Sequence, residues 1–312
     1  MIPKKFKTTQ GSHIPIVPPS FKNVIYVFTS LKCTKYKILN ILGLQVIRYF
    51  LAKIIHKINS SKFRGEILYK NYDNDGYQVI NDALPADNLD KLKTEFEQVI
   101  KEKSINLFSR QSEKNDSNGD PVLQNSSVQM FAYEFKFDDE EKNKFPEMYK
   151  LYRSKIINES FSFAEKKKNP TITMRLERNI QNDSDGNEFN ALWHIDTFHD
   201  THKGFLYLTE VKKENGPFTI LEGSHKISLR HIFMEYINSI KFSFNKSSAS
   251  FRLDDKIANF SEDKKKEIIC KPNTFLLANT HSFHRRGNAE KGMVRDAIAF
   301  WTRENPFKIK PS

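Results

Sequence analysis

Apolar residues recur along this chain with two different periods, and the change between them divides it. Residues 36–58 read YKILNILGLQVIRYFLAKIIHKI, apolar positions crowded with Lys37, Arg48, Lys53, His56 and Lys57 among them. That pattern predicts a helix with a wide apolar face, free to pack that face on the body of the protein. Arg48 and Lys53 interrupt any run of about 18 apolar residues, so it does not read as a membrane span. It begins too late, and without a small-residue cleavage site, to read as a secretory signal. Before it, residues 1–20 are polar and proline-containing (HIPIVPPS) and read as extended chain.

Residues 71–103 predict a strand, a turn and a helix. Tyr77 and Val79 alternate with Gln78 and Ile80, Pro85 can open a helix, and Leu89, Leu92, Phe96 and Ile100 recur at three and four. Residues 109–127 are rich in Asn and Ser and read as a loop. From Thr171 the period falls to two. TITMRLER, GFLYLTEV, GPFTILEG, NTFLLANT and MVRDAIAFWT are β-rich runs bounded by Gly, Pro and Asn. Residues 227–265 interrupt them with a helical insertion, LRHIFMEYINSI. Strands clustered after helices predict a β-sandwich or jelly roll with helices outside.

Charge sharpens that division. Residues 1–70 hold 13 Lys or Arg and one acid, Glu66, which equals the whole chain's net charge of +12; the remainder balances at 37 of each sign. The basic character belongs to the N-terminal segment, and the body has no nucleic-acid motif. Two cysteines, Cys33 and Cys270, make neither a disulfide framework nor a thiolate metal motif and fit a reducing, intracellular setting.

The chemistry concentrates in residues 192–200, LWHIDTFHD. Residues two apart on a strand share a face, so His194 and Asp196 can reach one ion. A distant histidine would complete two nitrogens and one oxygen, the set that leaves open positions on Fe(II). Zinc competes, though a closed zinc site wants a fourth ligand. By itself H-x-D is as well read as a polar pair at a strand end. Residues 275–302 supply the complement: a hairpin with His281 and His284 before its turn and Arg295 after it. Three apart on a strand, the two histidines face opposite ways, and arginine is a planar fork suited to a carboxylate.

At this point the sequence resembles the phytanoyl-CoA dioxygenase-like Fe(II)/2-oxoglutarate-dependent oxygenases. The matching stretches are DGYQVINDALPADNLDKLKTEFE, WHIDTF, FLYLTEVKKENGPFTILEGSHK and HRRGNAEKGMVRDAIAF, and the resemblance covers residues 70–304. It implies a double-stranded β-helix, a jelly-roll barrel with helices on its flank, for residues 70–312. Residues 1–69 are then a basic extension and residues 227–268 a lid insertion. It implies Fe(II), 2-oxoglutarate and O2 as the reactants held, with His194, Asp196 and His284 on iron and Arg295 on the far carboxylate of 2-oxoglutarate. Phe205 falls where relatives place an aromatic beside the keto acid; its other reading is ordinary core. Arg286 departs from the family's usual small or polar residue; it offers a second cation for the keto acid or faces solvent.

The implied reaction is oxidative decarboxylation to succinate and CO2 coupled to attack on a C–H bond. Halogenating relatives lose the carboxylate retained here as Asp196, so hydroxylation is expected, with cyclisation or desaturation open on the same ligands. Arg175 and Arg178, with Arg230, His231, Lys241, Lys246 and Arg252 of the insertion, would suit a small carboxylated or otherwise anionic substrate, and His199 would contact it. The opposing reading is surface charge balanced by acids. The reading from another class is a non-catalytic jelly roll that binds a ligand or a membrane surface. Contact with anionic lipid through residues 1–65 is the less favoured role of the extension beside packing on the barrel; its acid-poor composition also fits an organelle-targeting segment, against which its few arginines argue, and a cytoplasmic setting is the expectation.

Overall fold

The computed structural model describes residues 33–34, 36–63, 69–106, 128–181, 191–244, 252–253, 255–302 and 304–307. The expected extended segment 1–20, the loop 109–127 and Lys246 lie outside them. In chain order the helices and strands are α1 (Lys37–Ile41), α2 (Leu44–Lys62), α3 (Lys70–Asp75), β1 (Tyr77–Ile80), α4 (Ala86–Glu102), β2 (Ile105–Asn106), β3 (Val128–Glu134), α5 (Asp139–Lys144), α6 (Pro146–Tyr152), α7 (Lys155–Glu165) and β4 (Thr173–Gln181). They continue with β5 (Trp193–His194), β6 (His202–Tyr207), β7 (Phe218–Leu221), α8 (Leu229–Ser243), β8 (Arg252–Leu253), α9 (Asp255–Ala258), β9 (Lys265–Glu267), β10 (Thr274–Asn279), β11 (His284–Arg286) and β12 (Val294–Thr302).

Two antiparallel sheets form the jelly roll: a large one ordered β1-β10-β6-β12-β4-β3-β2 and a small one ordered β8-β5-β11-β7-β9. Alternation on the large sheet makes two cores from the same strands. Met174, Leu176, Leu206, Phe275, Leu277, Ile298 and Phe300 face outward and bury Phe96 and Val99 of α4, Met148 of α6 and Phe161 of α7. Between them stand Tyr207, Leu276, Ala278 and Ala297, which turn inward against Phe218, Ile220 and Ile268 of the small-sheet side. The helices reach the sheet closely at Gly204, where a Cβ would stand 2.7 Å from the Phe275 ring and 3.2 Å from that of Phe161.

The N-terminal segment departs from its expected form. One helix over residues 36–58 becomes two, broken at Gly43 with φ +85°. The expectation that the helix packs an apolar face inward is corrected as well. The buried positions of α2 include Leu44, Gln45, Arg48, Tyr49 and Ala52, whereas Ile47, Phe50, Leu51, Ile54 and Ile58 are exposed. The inward face mixes apolar and polar residues, and its polar members meet partners of their own. Gln45 donates to Glu235 of α8 at 3.0 Å, Lys53 bonds Asp200 at 2.9 Å, and Arg48 lies 4.1 Å from the centre of the Phe198 ring.

Candidate metal centre

Strand β5 ends at His194, and β11 pairs with it so that His284 lies opposite His194. Asp196 follows β5 in a bend, held by its N–H to the Thr280 carbonyl at 3.0 Å. The expected common face is therefore made by a two-residue strand and a pinned bend rather than by one continuous strand. His194, Asp196 and His284 offer ligand atoms that all lie within 4.8 Å of one another, and among the described residues no other group of three His, Cys, Asp or Glu does so. The two imidazole rings are 4.3 Å apart, and Nε2 of His284 is 3.8 Å from Oδ1 of Asp196.

The donor set fits a divalent metal on its hydrogen bonds. Nδ1 of His194 meets the Leu192 carbonyl at 2.8 Å, and Nδ1 of His284 meets the Ser282 carbonyl at 2.9 Å. A carbonyl accepts only from N–H, so both rings carry their proton on Nδ1 and present Nε2 as a lone pair, the usual arrangement behind a metal-ligating histidine. Nε2 of His284 is buried with no hydrogen-bond partner. Burial pushes the His194 imidazole well below the ordinary histidine range and His284 down to about 4, so both are neutral and able to ligate. Lys203 on β6 completes the set, its Nζ 2.7 Å from Oδ2 of Asp196.

His281 is not on a strand as expected. It lies in the turn between β10 and β11, with Nδ1 3.0 Å from the Thr197 carbonyl and its ring 5.4 Å from that of Tyr49. It takes no part in the three-residue set. His199, expected to contact substrate, lies in the bend between β5 and β6 and is buried, as is His202. Nδ1 of His199 meets the Asp200 carbonyl at 2.9 Å, and His202 opens β6 with its ring against Tyr72.

Register places the arginines. On β12, Arg295 shares the inward face with Ala297 and Ala299, and its guanidinium donates to the Gly216 carbonyl. Arg286 does not face solvent: it is buried, shares the inward face of β11 with His284, and bonds Gln181 at 3.3 Å. Both cations meet the backbone at Gly216 (φ +66°), where a Cβ would stand 2.9 Å from Nε of Arg286. Between them and the histidines runs an aromatic wall. The ring of Phe218 lies 5.3 Å from His284 and 5.7 Å from Phe205, which stacks on Tyr207 at 6.1 Å.

Arg175 stands on the inward face of β4, pairs with Glu177 and lies 4.9 Å from the Trp301 ring. Arg178 points the other way, onto Phe96 of α4, and is held by Asp296 and Glu97. The structure does not bring it to the metal set. Of the insertion's cations, Arg252 pairs backbone to backbone with His194, and burial lowers its guanidinium to about 10. Lys203 escaped the sequence reading, although it lies two residues before Phe205 on one strand and so shares its face.

A family model described as phytanoyl-CoA dioxygenase matches residues 72–239, a span holding His194 and Asp196 but ending before His284 and Arg295. AviO1 from Streptomyces viridochromogenes Tue57 is 15% identical over 75% of this chain and 92% of its own, with a TM-score of 0.45. HygX from Streptomyces hygroscopicus, solved with nickel and 2-oxoglutarate bound, is 14% identical over 75% of this chain and 87% of its own, with a TM-score of 0.45. EctD from S. alaskensis, solved with bound Fe, is 16% identical over 80% of this chain and 85% of its own, with a TM-score of 0.46. No curated protein matches the sequence.

Proposed function

Because the chain belongs to the phytanoyl-CoA dioxygenase family and is an Fe(II)/2-oxoglutarate-dependent dioxygenase, we propose that His194, Asp196 and His284 hold its iron and that it hydroxylates a small anionic metabolite. The observation that carries the assignment of residues is the buried set of three ligand atoms with both Nδ1 protons fixed by carbonyls. When bound, iron, 2-oxoglutarate and O2 supply oxidative decarboxylation to succinate and CO2 and the attack on a C–H bond.

The chain's own residues hold, orient and exclude water. Arg295 receives the far carboxylate of the keto acid, with Arg286 adding charge at the same end of the barrel. Phe205, Tyr207, Phe218 and Ile220 keep that end dry. Arg252 and Arg175 are the cations on the substrate side, which is what favours an anionic substrate; His199 and Arg178 drop out of that role. Retention of Asp196 as a ligand leaves no room for halide and favours hydroxylation over halogen transfer. Incubation with Fe(II), 2-oxoglutarate, O2 and a panel of carboxylated and uncharged metabolites tests the reading. The expected product gains one oxygen atom, with succinate in equal amount, from a carboxylated member only; turnover confined to uncharged compounds would refute the substrate class.

Two substitutions test individual roles. Arg295→Ala should raise the KM for 2-oxoglutarate at least about tenfold, since a charge-assisted hydrogen bond contributes about 1.5–3 kcal/mol, and should leave iron affinity unchanged. An unaltered KM would remove Arg295 from the site. Lys203 is a positioning residue, holding the second oxygen of Asp196. Lys203→Gln should weaken Fe(II) about 10–100-fold, the usual effect of losing an outer partner of a ligand. Metal titration that gives wild-type affinity would show that the Asp196 rotamer needs no such support.

A further inference from the structure

Two neighbouring helices of this protein bury polar residues and expose large apolar ones; α2 also buries Leu44, Tyr49 and Ala52. The buried positions of α8 are His231, Glu235, Asn238, Ser239, Phe242 and Ser243, and those of α2 include Gln45 and Arg48. The polar positions meet each other: Gln45 bonds Glu235 at 3.0 Å, and Asn40 of α1 donates to the Ser239 carbonyl at 3.0 Å. Tyr236 reaches the Ile41 carbonyl at 2.9 Å. The outward face of this helical layer is apolar. It exposes Ile38 (73%), Leu42 (72%), Ile47, Phe50, Leu51, Ile54 (53%) and, from the α8 side, Ile227, Leu229 (84%) and Phe233 (64%). A globular helix puts such residues inward, and an exposed patch of this breadth marks an interaction surface.

Charge selects the partner. Exposed Lys37, Lys57, Lys226, Arg230 and Lys241 lie on or beside these helices. The sequences of α1 and α2 contain no acid, and the single acid of α8, Glu235, is buried. Residues 1–65 as a whole contain none. A docking face for a protein would ordinarily mix both signs around its rim. Large apolar side chains on helices that carry cations and no exposed acid are complementary to an anionic bilayer surface, where apolar groups enter the acyl boundary and Lys and Arg meet the headgroups. No helix of the described residues is long and apolar enough to cross a membrane, which leaves lying upon it.

We infer that the outward face of α1, α2 and α8 docks this protein on anionic lipid membranes. Packing of α2 on the barrel and contact with lipid are therefore not alternatives: the buried face of mixed character does the first and the exposed apolar face the second. The inner side of the same layer reaches toward the metal centre: buried Tyr49 of α2 touches His281, three residues before His284.

Sedimentation of the full-length chain with phosphatidylcholine vesicles, with and without phosphatidylglycerol, tests this. The chain should bind the anionic vesicles at least about tenfold more tightly than the neutral ones, and less as salt shortens the Debye length from about 10 Å at 0.1 M to about 3 Å at 1 M. The double variant Ile54→Glu, Phe233→Glu alters only exposed side chains, so its melting temperature and 2-oxoglutarate turnover should stay those of the wild type. Its vesicle binding should fall at least about tenfold. The inference is overturned if the full chain ignores anionic vesicles. It is equally overturned if the double variant binds as well as wild type while Lys4→Gln, Lys5→Gln, Lys7→Gln does not, since the basic N-terminus alone would then be responsible. A dimer in solution that the double variant disperses, with no vesicle binding, would assign the face to a second copy and also overturn it.

Discussion

Replacing His284 with alanine should cost the protein its iron, while replacing His281 should not. His284 presents a buried Nε2 within reach of Asp196 and His194, and its other nitrogen is fixed by Ser282. Loss of an outer partner of such a ligand costs about 10–100-fold in metal affinity, so loss of the ligand itself should exceed about 100-fold. His281 is equally buried but spends Nδ1 on Thr197 and stacks among Tyr49 and His231. His281→Ala should lower the melting temperature by leaving a cavity, with iron affinity changed by less than about tenfold. Fe(II) titration of the two variants, alongside thermal melts, separates the outcomes. Iron retained by His284→Ala and lost by His281→Ala would mean the wrong histidine faces the barrel.

The largest expected effect on stability lies outside the metal centre. Asp200 and Lys53 form an ion pair at 2.9 Å with side chains 7% and 11% exposed, and Asn279 donates to the same carboxylate at 2.7 Å. Burial by itself would raise the Asp200 carboxyl; Lys53, His56, His281 and Asn279 more than offset it and hold the group well below the usual carboxylate range. Asp200→Ala would strand the Lys53 ammonium with only the His225 carbonyl, 2.9 Å away. Breaking a buried pair on one side costs about 3–5 kcal/mol, which for a chain of this length lowers Tm by about 5–8 °C. Adding Lys53→Met should recover part of that loss, because the uncompensated charge goes with it. A single variant that melts within about 1 °C of wild type would show that the pair does not tie α2 to the barrel.

The grouping of His194 with Asp196 was legible because its information is local: they are two residues apart. His284 joins them only through strand pairing, and the hairpin expected over residues 275–302 does not form, since β11 pairs in the small sheet and β12 in the large one. The cores of the β-region were legible for the same reason: alternation in FLYL and AIAF states which residues face in. Lys203 was missed because its partner, Asp196, belongs to the other sheet, and nothing along one strand announces a contact across a barrel. Helices α5 to α7 went unread although Phe145, Met148 and Leu151 recur at three. The face of α2 was misread for a physical reason. Periodicity shows that a helix is apolar over a wide arc, not which part of that arc is buried; here Leu44, Tyr49 and Ala52 turn inward with Gln45 and Arg48, and the rest of the arc stays exposed. His199, read as a substrate contact, is buried with Nδ1 on the Asp200 carbonyl, a contact that depends on how the chain folds back and that spacing along the sequence does not reveal.

The central claim is that these four residues hold iron and 2-oxoglutarate together, and anaerobic titration of 2-oxoglutarate into the Fe(II)-loaded full-length protein tests it most directly. The expected result is saturable binding of one keto acid per chain that needs the metal, disappears in His284→Ala and weakens at least about tenfold in Arg295→Ala. Binding that is indifferent to Fe(II), or equal in all three proteins, would contradict the account.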